Sequence, residues 1–273
     1  MKGRSFEWMA RIGYVTRGTV FLVLGAVTML AAFGSLRRPA EPKDVLHTLL
    51  SHALGGLAVA AISAGLLCFA VWRIVQALLD ADRCGSDLKG LARRGVFFIQ
   101  GLFYVALAGI PATMLLGTRP SSDQAVRDWT GWLLQWPFGR WVLALTGVIV
   151  IVSAVATGIN GIRAHFKRRL AVRGGERTII TALGQFGFVA RAIVYAAVGA
   201  FLLMAALHAD PGEARGVAGT LRAIQQESFG SIWLALAAAG FLAFGCYSIA
   251  EGAWRRVEAP TVHQAAVRAG VKR

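Results

Sequence analysis

The chain has 273 residues, of which 56% are hydrophobic and only 16% charged, and its mean hydropathy is +0.58. This composition excludes a soluble globular domain, because folded soluble domains carry more charged and fewer apolar residues. The net charge of +15 would suit a nucleic-acid-binding protein. However, no aromatic residues are interleaved with the basic clusters to stack on bases, so that class is excluded as well.

Six apolar runs follow one another along the chain, at residues 12–33, 54–79, 96–117, 138–162, 186–207 and 229–253. Each is longer than the roughly 20 residues that a helix needs to cross about 30 Å of hydrocarbon. The first run is too long for a signal peptide, contains Arg17 and lacks a small-residue cleavage site. The sequence therefore predicts an all-α integral membrane protein with six transmembrane helices.

The odd-numbered runs share one pattern. The positions that recur between the first and fifth runs are Gly13 with Gly187, Arg17 with Arg191, and Gly25 with Gly199. A third copy puts Gln100 opposite Arg17, whereas a competing register would pair Arg17 with Arg94. The even-numbered runs favour the Gln100 register, because their first glycines then align at nearly the same offset. Those glycines are Gly55, Gly139 and Gly230.

Three tandem two-helix hairpins follow from this repeat, all in one orientation and with pseudo-threefold symmetry. We assign residues 1–83, 84–173 and 174–257 to the three repeats and 258–273 to a basic cytoplasmic tail. Pro111, inside the third run, is expected to kink that helix or loosen one of its hydrogen bonds.

A short segment joins the two helices of each hairpin, at residues 45–50, 129–134 and 220–224. Apolar residues spaced by three positions predict a short amphipathic helix in the membrane interface. Four tryptophans would add an aromatic belt at this level. They are Trp129, Trp132, Trp136 and Trp141.

The basic residues are divided unevenly between the two sides of the predicted bundle. Eighteen Lys and Arg residues lie on the side of the termini and eight on the other. The positive-inside rule then places both termini in the cytoplasm, in a multi-pass protein of the bacterial inner (plasma) membrane. The expected partners are the bilayer, including anionic lipid headgroups, and another membrane protein.

The entry helix reads glycine-aromatic-x-x-Arg-Gly-x-x-aromatic-x-x-x-Gly from Gly13 to Gly25, and it returns with a second helix after each copy. This arrangement resembles the bacterial family called domain of unknown function 1206 over nearly the whole chain. The resemblance implies three tandem helix pairs and brings no activity with it. Gln100 departs from the pattern, so a role that needs three equivalent arginines is not expected.

Polar residues at equivalent positions predict a polar layer near the cytoplasmic ends of the helices. The predicted layer contains Arg17, Gln100 and Arg191 from the odd helices and Gln76, Asn160, Glu251 and Arg73 from the even helices. The layer could clamp helices together, or leave a net positive cavity for an anionic solute or lipid headgroup. Proton transfer through Glu251, the one acid within an apolar run, is a third alternative.

Glycines within the helices predict close helix packing, with hinges for transport as the alternative. The candidate packing positions are Gly18, Gly25, Gly55, Gly101, Gly199 and Gly240. The three cysteines, Cys68, Cys84 and Cys246, suggest no disulfide framework.

No catalytic motif is evident. The intramembrane serines have no histidine at matching depth, and no phosphate-binding glycine loop is present. The five histidines form no metal-ligand pattern and no haem pair, so we expect no metal, no cofactor and no enzymatic activity.

Two functional hypotheses remain open at this point. The protein could bind or transport a small anionic or amphiphilic solute through the polar layer, which predicts a cavity that reaches that layer. Alternatively, it could be a non-catalytic scaffold or lipid-binding accessory subunit of an envelope complex, which predicts a sealed bundle.

Overall fold

Long helices make up nearly all of the structure. The computed structural model of the protein describes residues 2–34, 55–80, 85, 87–115, 122–164 and 176–254. These residues form eight α-helices and one short 3-10 helix, Pro211–Glu213. The α-helices are α1 (Lys2–Ala32), α2 (Gly55–Leu79), α3 (Leu88–Leu115), α4 (Ser122–Leu134), α5 (Gly139–Ile162), α6 (Glu176–His208), α7 (Val217–Gln226) and α8 (Gly230–Trp254).

Six of these helices, α1, α2, α3, α5, α6 and α8, are long and apolar enough to cross a membrane. The prediction of an all-α membrane protein with six such helices is therefore confirmed. Trp233 and Trp254 lie near the two ends of α8, 21 residues apart, which is about 31 Å along a helix. This spacing matches the hydrocarbon thickness, and tryptophan is typical of both membrane–water interfaces.

The six long helices pack in the spatial order α3, α2, α1, α8, α6, α5. The most extensive contacts join different repeats, in the pairs α1 with α8, α5 with α6, and α2 with α3. Within repeats, α1 packs on α2 and α6 packs on α8. The starts of α1, α3 and α6 and the ends of α2, α5 and α8 share one side of the bundle, called here the termini side. The opposite side is called the short-helix side, because α4 and α7 lie there.

One glycine contact recurs at the interfaces between repeats. A Cβ built on Gly18 would lie 2.6 Å from Ile249 Cγ1, and a Cβ on Gly101 would lie 2.6 Å from Ile74 Cγ1. Ala192, at the equivalent place in α6, faces Gly158 in the same way. All three interfaces between repeats therefore share one geometry, in agreement with the register that aligns Arg17 with Gln100.

The other glycines predicted to pack helices are also crowded. Gly25 abuts the Leu242 backbone, Gly199 abuts Gly147 and Ile151, and Gly240 abuts Ala190. Gly55 is buried at the start of α2. A side chain at the three crowded positions would meet backbone or a neighbouring Cβ, so only glycine permits these helix separations.

The middle repeat differs from the predicted hairpin. Across residues 88–115 and 139–162, helices α3 and α5 make almost no contact with each other, whereas the paired helices of the other two repeats pack together. The physical reason is that bulky side chains replace the contact glycines. Val96 stands where α1 and α6 have Gly13 and Gly187, and Ile149 stands where α2 and α8 have Gly65 and Gly240. We call this gap between α3 and α5 the seam.

The two short helices meet on the short-helix side. Both are longer than predicted, since α4 covers 129–134 and begins at Ser122, while α7 covers 220–224 and begins at Val217. The buried carboxylate of Asp123 in α4 accepts a hydrogen bond from the Gly216 backbone at 3.2 Å and contacts Arg222 in α7 at 3.3 Å. The predicted segment at 45–50 and the tail at 258–273 lie outside the described residues. Helix α3 runs through Pro111 without interruption.

Candidate functional site: a layer of buried arginines

Arg17 is the centre of the layer. It lies midway along α1 and is only 4% exposed. Its Nη2 donates to Glu251 Oε2 at 2.9 Å and to Ser248 Oγ at 3.0 Å, both on α8. Glu251 is also buried, so the two charges neutralise each other away from water. This ion pair ties the first transmembrane helix to the last.

Aromatic rings surround the Arg17 guanidinium. Its Cζ lies 4.8 Å from the centroid of Phe69, 5.0 Å from that of Tyr14 and 5.0 Å from that of Phe244. Trp72 donates from Nε1 to the Tyr14 hydroxyl at 3.2 Å, which fixes that ring. Contacts of a cation with aromatic faces contribute about 2 kcal/mol each when they are desolvated. The centre of the bundle at this depth is therefore packed with rings.

Arg73 and Gln76 of α2 extend the layer. Arg73 donates from Nη1 to Gln76 Oε1 at 3.0 Å, and both residues are buried. The Arg73 guanidinium also lies 4.9 Å from the centroid of Phe69, the same ring that Arg17 contacts. Two cations thus share one aromatic ring.

Arg191 of α6 differs from its counterpart Arg17. Its Cζ lies 4.6 Å from the Phe244 centroid, 5.1 Å from that of Tyr195 and 5.6 Å from that of Phe21. Its Nε is buried without a hydrogen-bond partner among the residues that the structure describes. Within the same residues no carboxylate pairs with it, and part of its side chain remains exposed. Arg191 is thus a cation held by aromatic faces alone.

Two predicted members make no hydrogen bond or ring contact with the buried arginines among the described residues. Asn160 lies exposed on α5, although it is aligned with Gln76 and Glu251. Gln100 on α3 is partly buried. Both residues belong to the middle repeat, and the lack of packing between α3 and α5 leaves its polar positions without the enclosure that the other repeats provide.

A second ring of polar residues lies nearer the termini side, and the sequence analysis missed it. Arg11 donates to the Gly252 carbonyl at 2.9 Å and also contacts the Ala253 carbonyl. Arg94 donates to the carbonyls of Ala77 at 2.7 Å and Leu78 at 3.1 Å. In the third repeat Gln185 donates to the Ile162 carbonyl at 2.8 Å.

Each of these side chains caps the carboxyl end of a helix from the neighbouring repeat, where backbone carbonyls lack helical partners. Arg11, Arg94 and Gln185 are related by the same shifts of 83 and 91 residues that relate Arg17 to Gln100 and Arg191. The same shifts lead from Arg11 to Arg94 and then to Gln185, so the sequence repeat could have predicted these three positions. We call these three residues the capping ring.

The other polar candidates lie apart from the layer. His208 is exposed on the short-helix side, with Nδ1 2.8 Å from Glu213 Oε2, whereas the remaining histidines lie outside the described residues. Within the described ranges no cluster of three or more metal-ligating side chains occurs. Ser63 donates its hydroxyl hydrogen to the Ala108 carbonyl at 3.0 Å. Cys68 and Cys246 are free thiols, and Cys84 lies outside the described residues.

One surface groove lies away from the arginines. It is an open, apolar groove of about 290 Å³ on the short-helix side, between α4 and the start of α5. Trp132, Trp136, Phe138 and Val142 are among its lining residues. The layer itself offers guanidinium groups and aromatic faces, a chemistry suited to holding an anion rather than to bond making or breaking.

Fold and site together define a multi-pass α-helical membrane protein built from three tandem helix pairs. The chain belongs to the Domain of Unknown Function 1206 family, which matches residues 12–80, 96–164 and 186–255. It is similar to "Uncharacterized protein YxxB" of Bacillus subtilis (strain 168), with 30% identity over 263 residues that cover 94% of this chain and 95% of that protein. No solved structure matches the chain.

Proposed function

We propose that the protein is a non-catalytic inner-membrane protein that binds an anionic amphiphile at the arginine layer. The observation that carries this proposal is the contrast between two equivalent arginines. Arg17 has Glu251 as counter-ion, whereas Arg191 has aromatic rings and no acid among the described residues. A cation within an apolar span is costly unless an anion accompanies it. A bound anionic group would supply the charge that Glu251 supplies to Arg17.

The depth of the layer suits a lipid headgroup. Glu251 lies three residues before Trp254, about 5 Å along α8 from a residue type that is typical of the membrane–water interface. Arg17, and by equivalence Arg191, lies close to that depth. The charge bias on the termini side supports a cytoplasmic orientation, so the layer would face the inner leaflet, where anionic lipids attract cations.

Binding is favoured over passage of a solute through the centre of the bundle. The Arg17 ion pair and the rings of Tyr14, Phe69 and Phe244 fill the axis at the depth of the layer. A pathway along this axis would require separating a buried ion pair, at a cost of several kcal/mol.

Native mass spectrometry of the detergent-purified protein with phosphatidylglycerol or phosphatidylcholine tests the proposal. We expect tighter binding of phosphatidylglycerol, and a loss of about tenfold or more for Arg191→Gln, because a charge-assisted hydrogen bond contributes about 1.5–3 kcal/mol. Arg215→Gln is the matched control, since Arg215 also lies over a ring, that of Phe201 at 4.6 Å. Unchanged phosphatidylglycerol binding by Arg191→Gln would contradict the proposal.

A role as scaffold or accessory subunit is the second candidate, favoured by the exposed aromatic cluster on α4 and the turn that follows it. The rings of Trp129, Trp132 and Trp136 stack edge to face in series, with centroids 5.5 and 5.8 Å apart. A photo-crosslinking amino acid at position 132 should then yield one discrete protein adduct in cells. Position 145, which faces outward on α5, should not yield it. Identical adduct patterns at both positions would argue against the scaffold.

A further inference from the structure

The seam between α3 and α5 has a specific cause in the sequence. In the first repeat Gly13 lies against Phe69, and in the third Gly187 lies against Phe244. In both cases a Cβ on the glycine would be 2.7 Å from the phenylalanine Cα. The corresponding residues of the middle repeat are Val96 and Ser153. Valine forbids the close approach, and serine removes the ring that would fill the space.

At a second pair of positions, the middle repeat again has bulky residues where the other repeats have a glycine and its close neighbour. A Cβ on Gly65 would lie 2.7 Å from Thr16 Cβ, and Gly240 meets Ala190 at the equivalent place. In the middle repeat both partners are isoleucines, Ile99 and Ile149, and both are exposed. The seam therefore has apolar walls at the level of these isoleucines, and it is confined to one repeat.

The seam adjoins Arg191, which has no acidic partner within the described part of the chain. Phe21 of α1, Tyr195 of α6 and Phe244 of α8 cover one side of the Arg191 guanidinium. In the order of helices, α6 packs between α8 and α5, and α5 forms one wall of the seam. Ser153 takes the place of the phenylalanine that would complete an aromatic wall at this position.

We propose that the seam is a lateral binding site for one anionic phospholipid, with its phosphate against Arg191 and an acyl chain between α3 and α5. This inference rests on the proposed function and names its ligand and its route of entry. The cation supplies charge complementarity to the phosphate. Apolar walls, with Ile99 and Ile149 facing the gap, favour an acyl chain over water. Lateral entry also leaves the Arg17 ion pair intact.

Photo-crosslinking of the wild-type chain locates the lipid without altering the fold. The protein in nanodiscs is irradiated with a phosphatidylglycerol that carries a diazirine on its acyl chain, and the modified peptides are identified by mass spectrometry. We expect enrichment at residues 96–103 and 145–153 over the outward faces of the other helices, and loss of that enrichment in Arg191→Gln. Uniform labelling of every lipid-facing helix would overturn the inference.

Filling the seam provides a second test. Ser153→Phe restores the ring of the other repeats and should lower phosphatidylglycerol binding by about tenfold or more. Val155→Phe adds the same bulk at a position that is 52% exposed on α5 and lies outside residues 145–153, and it should bind as the wild type does. If Ser153→Phe does not fold, the cross-linking map of the wild type decides the question.

Lipid binding by the two variants distinguishes a failure of lateral entry from a failure of anion binding at Arg191. Loss of binding in Arg191→Gln, together with full binding in Ser153→Phe, would overturn lateral entry and leave anion binding at Arg191 standing. Full binding in both variants would overturn both. Displacement of the lipid from Arg191 by inorganic phosphate would point to a soluble anion and overturn the lipid as ligand.

Discussion

Arg17 and Arg191 occupy equivalent positions in two repeats, yet different groups balance their charges. Arg17 lies between a carboxylate and three rings, whereas Arg191 contacts only rings among the residues that the structure describes. The difference arises in the neighbouring helix of another repeat, because α8 supplies Glu251 to Arg17, while α5 has Asn160 at the matching position and exposes it. One side chain in the neighbouring helix thus decides whether an arginine is neutralised within the protein.

Glu251→Ala should be strongly destabilising. It would leave the Arg17 cation buried without its counter-ion, and breaking one half of a buried pair costs about 3–5 kcal/mol. The free energy of unfolding in mixed detergent micelles, measured by titration with a denaturing detergent, checks this value.

The control for this prediction is the double variant Arg17→Met with Glu251→Leu, which removes both charges. It should recover much of the lost stability, because apolar residues can replace a buried pair at little cost. If Glu251→Ala unfolds at the same detergent fraction as the wild type, the ion pair contributes nothing to the fold.

At the scale of helices, the capping ring and the contact glycines connect the repeats. Arg94→Ala should cost about 1–3 kcal/mol, because two carbonyls at the end of α2 would lose their donor. Arg93→Ala is the matched control, since Arg93 is the adjacent arginine and is exposed. Thermal unfolding in detergent should show a lower Tm for Arg94→Ala than for Arg93→Ala, and equal values would refute the capping role.

Gly187→Ala should also destabilise the protein, by about 1–3 kcal/mol, because the added methyl group would meet the backbone of α8 at Phe244. A backbone contact cannot relax by a rotamer change. Gly109→Ala in α3 has no neighbouring atom within 4 Å of the added Cβ, so it should be neutral or slightly stabilising. The ranking of the two variants in a thermal shift assay checks the prediction, and the reverse order would contradict it.

For the whole molecule, hydrophobicity and repeat spacing predicted the six spans and the register between repeats. Both follow from long-range regularities that a single sequence displays, such as the alignment of Gly18 with Gly101. The seam was not predicted, because the exchange of glycine for Val96 and Ile149 looks conservative in an apolar helix. The loss of helix contact can be recognised only once the structure shows that Phe69 and Phe244 lie against Gly13 and Gly187, the glycines that Val96 replaces.

Cysteine cross-linking, in a background without the native cysteines, compares the close packing of α5 on α6 with the gap between α3 and α5. A Cβ at Gly158 would lie 3.2 Å from that of Ala192, close to the spacing of about 3.5–4.5 Å in disulfides. The pair Gly158→Cys with Ala192→Cys should therefore oxidise readily, whereas Ile99→Cys with Ile149→Cys should remain reduced. Equal rates of oxidation for the two pairs would show that α3 and α5 are in contact.

The ion pair between Arg17 and Glu251 also constrains the order of events during membrane insertion, because its two partners are synthesised at different times. The two residues are 234 positions apart, and at roughly 5–20 residues per second the ribosome needs about 10–50 s to pass from one to the other. During that interval α1 holds a cation within its apolar span before its acid has been synthesised, and an unpaired cation there is costly. The first helix therefore reaches its final environment only when the last has been inserted.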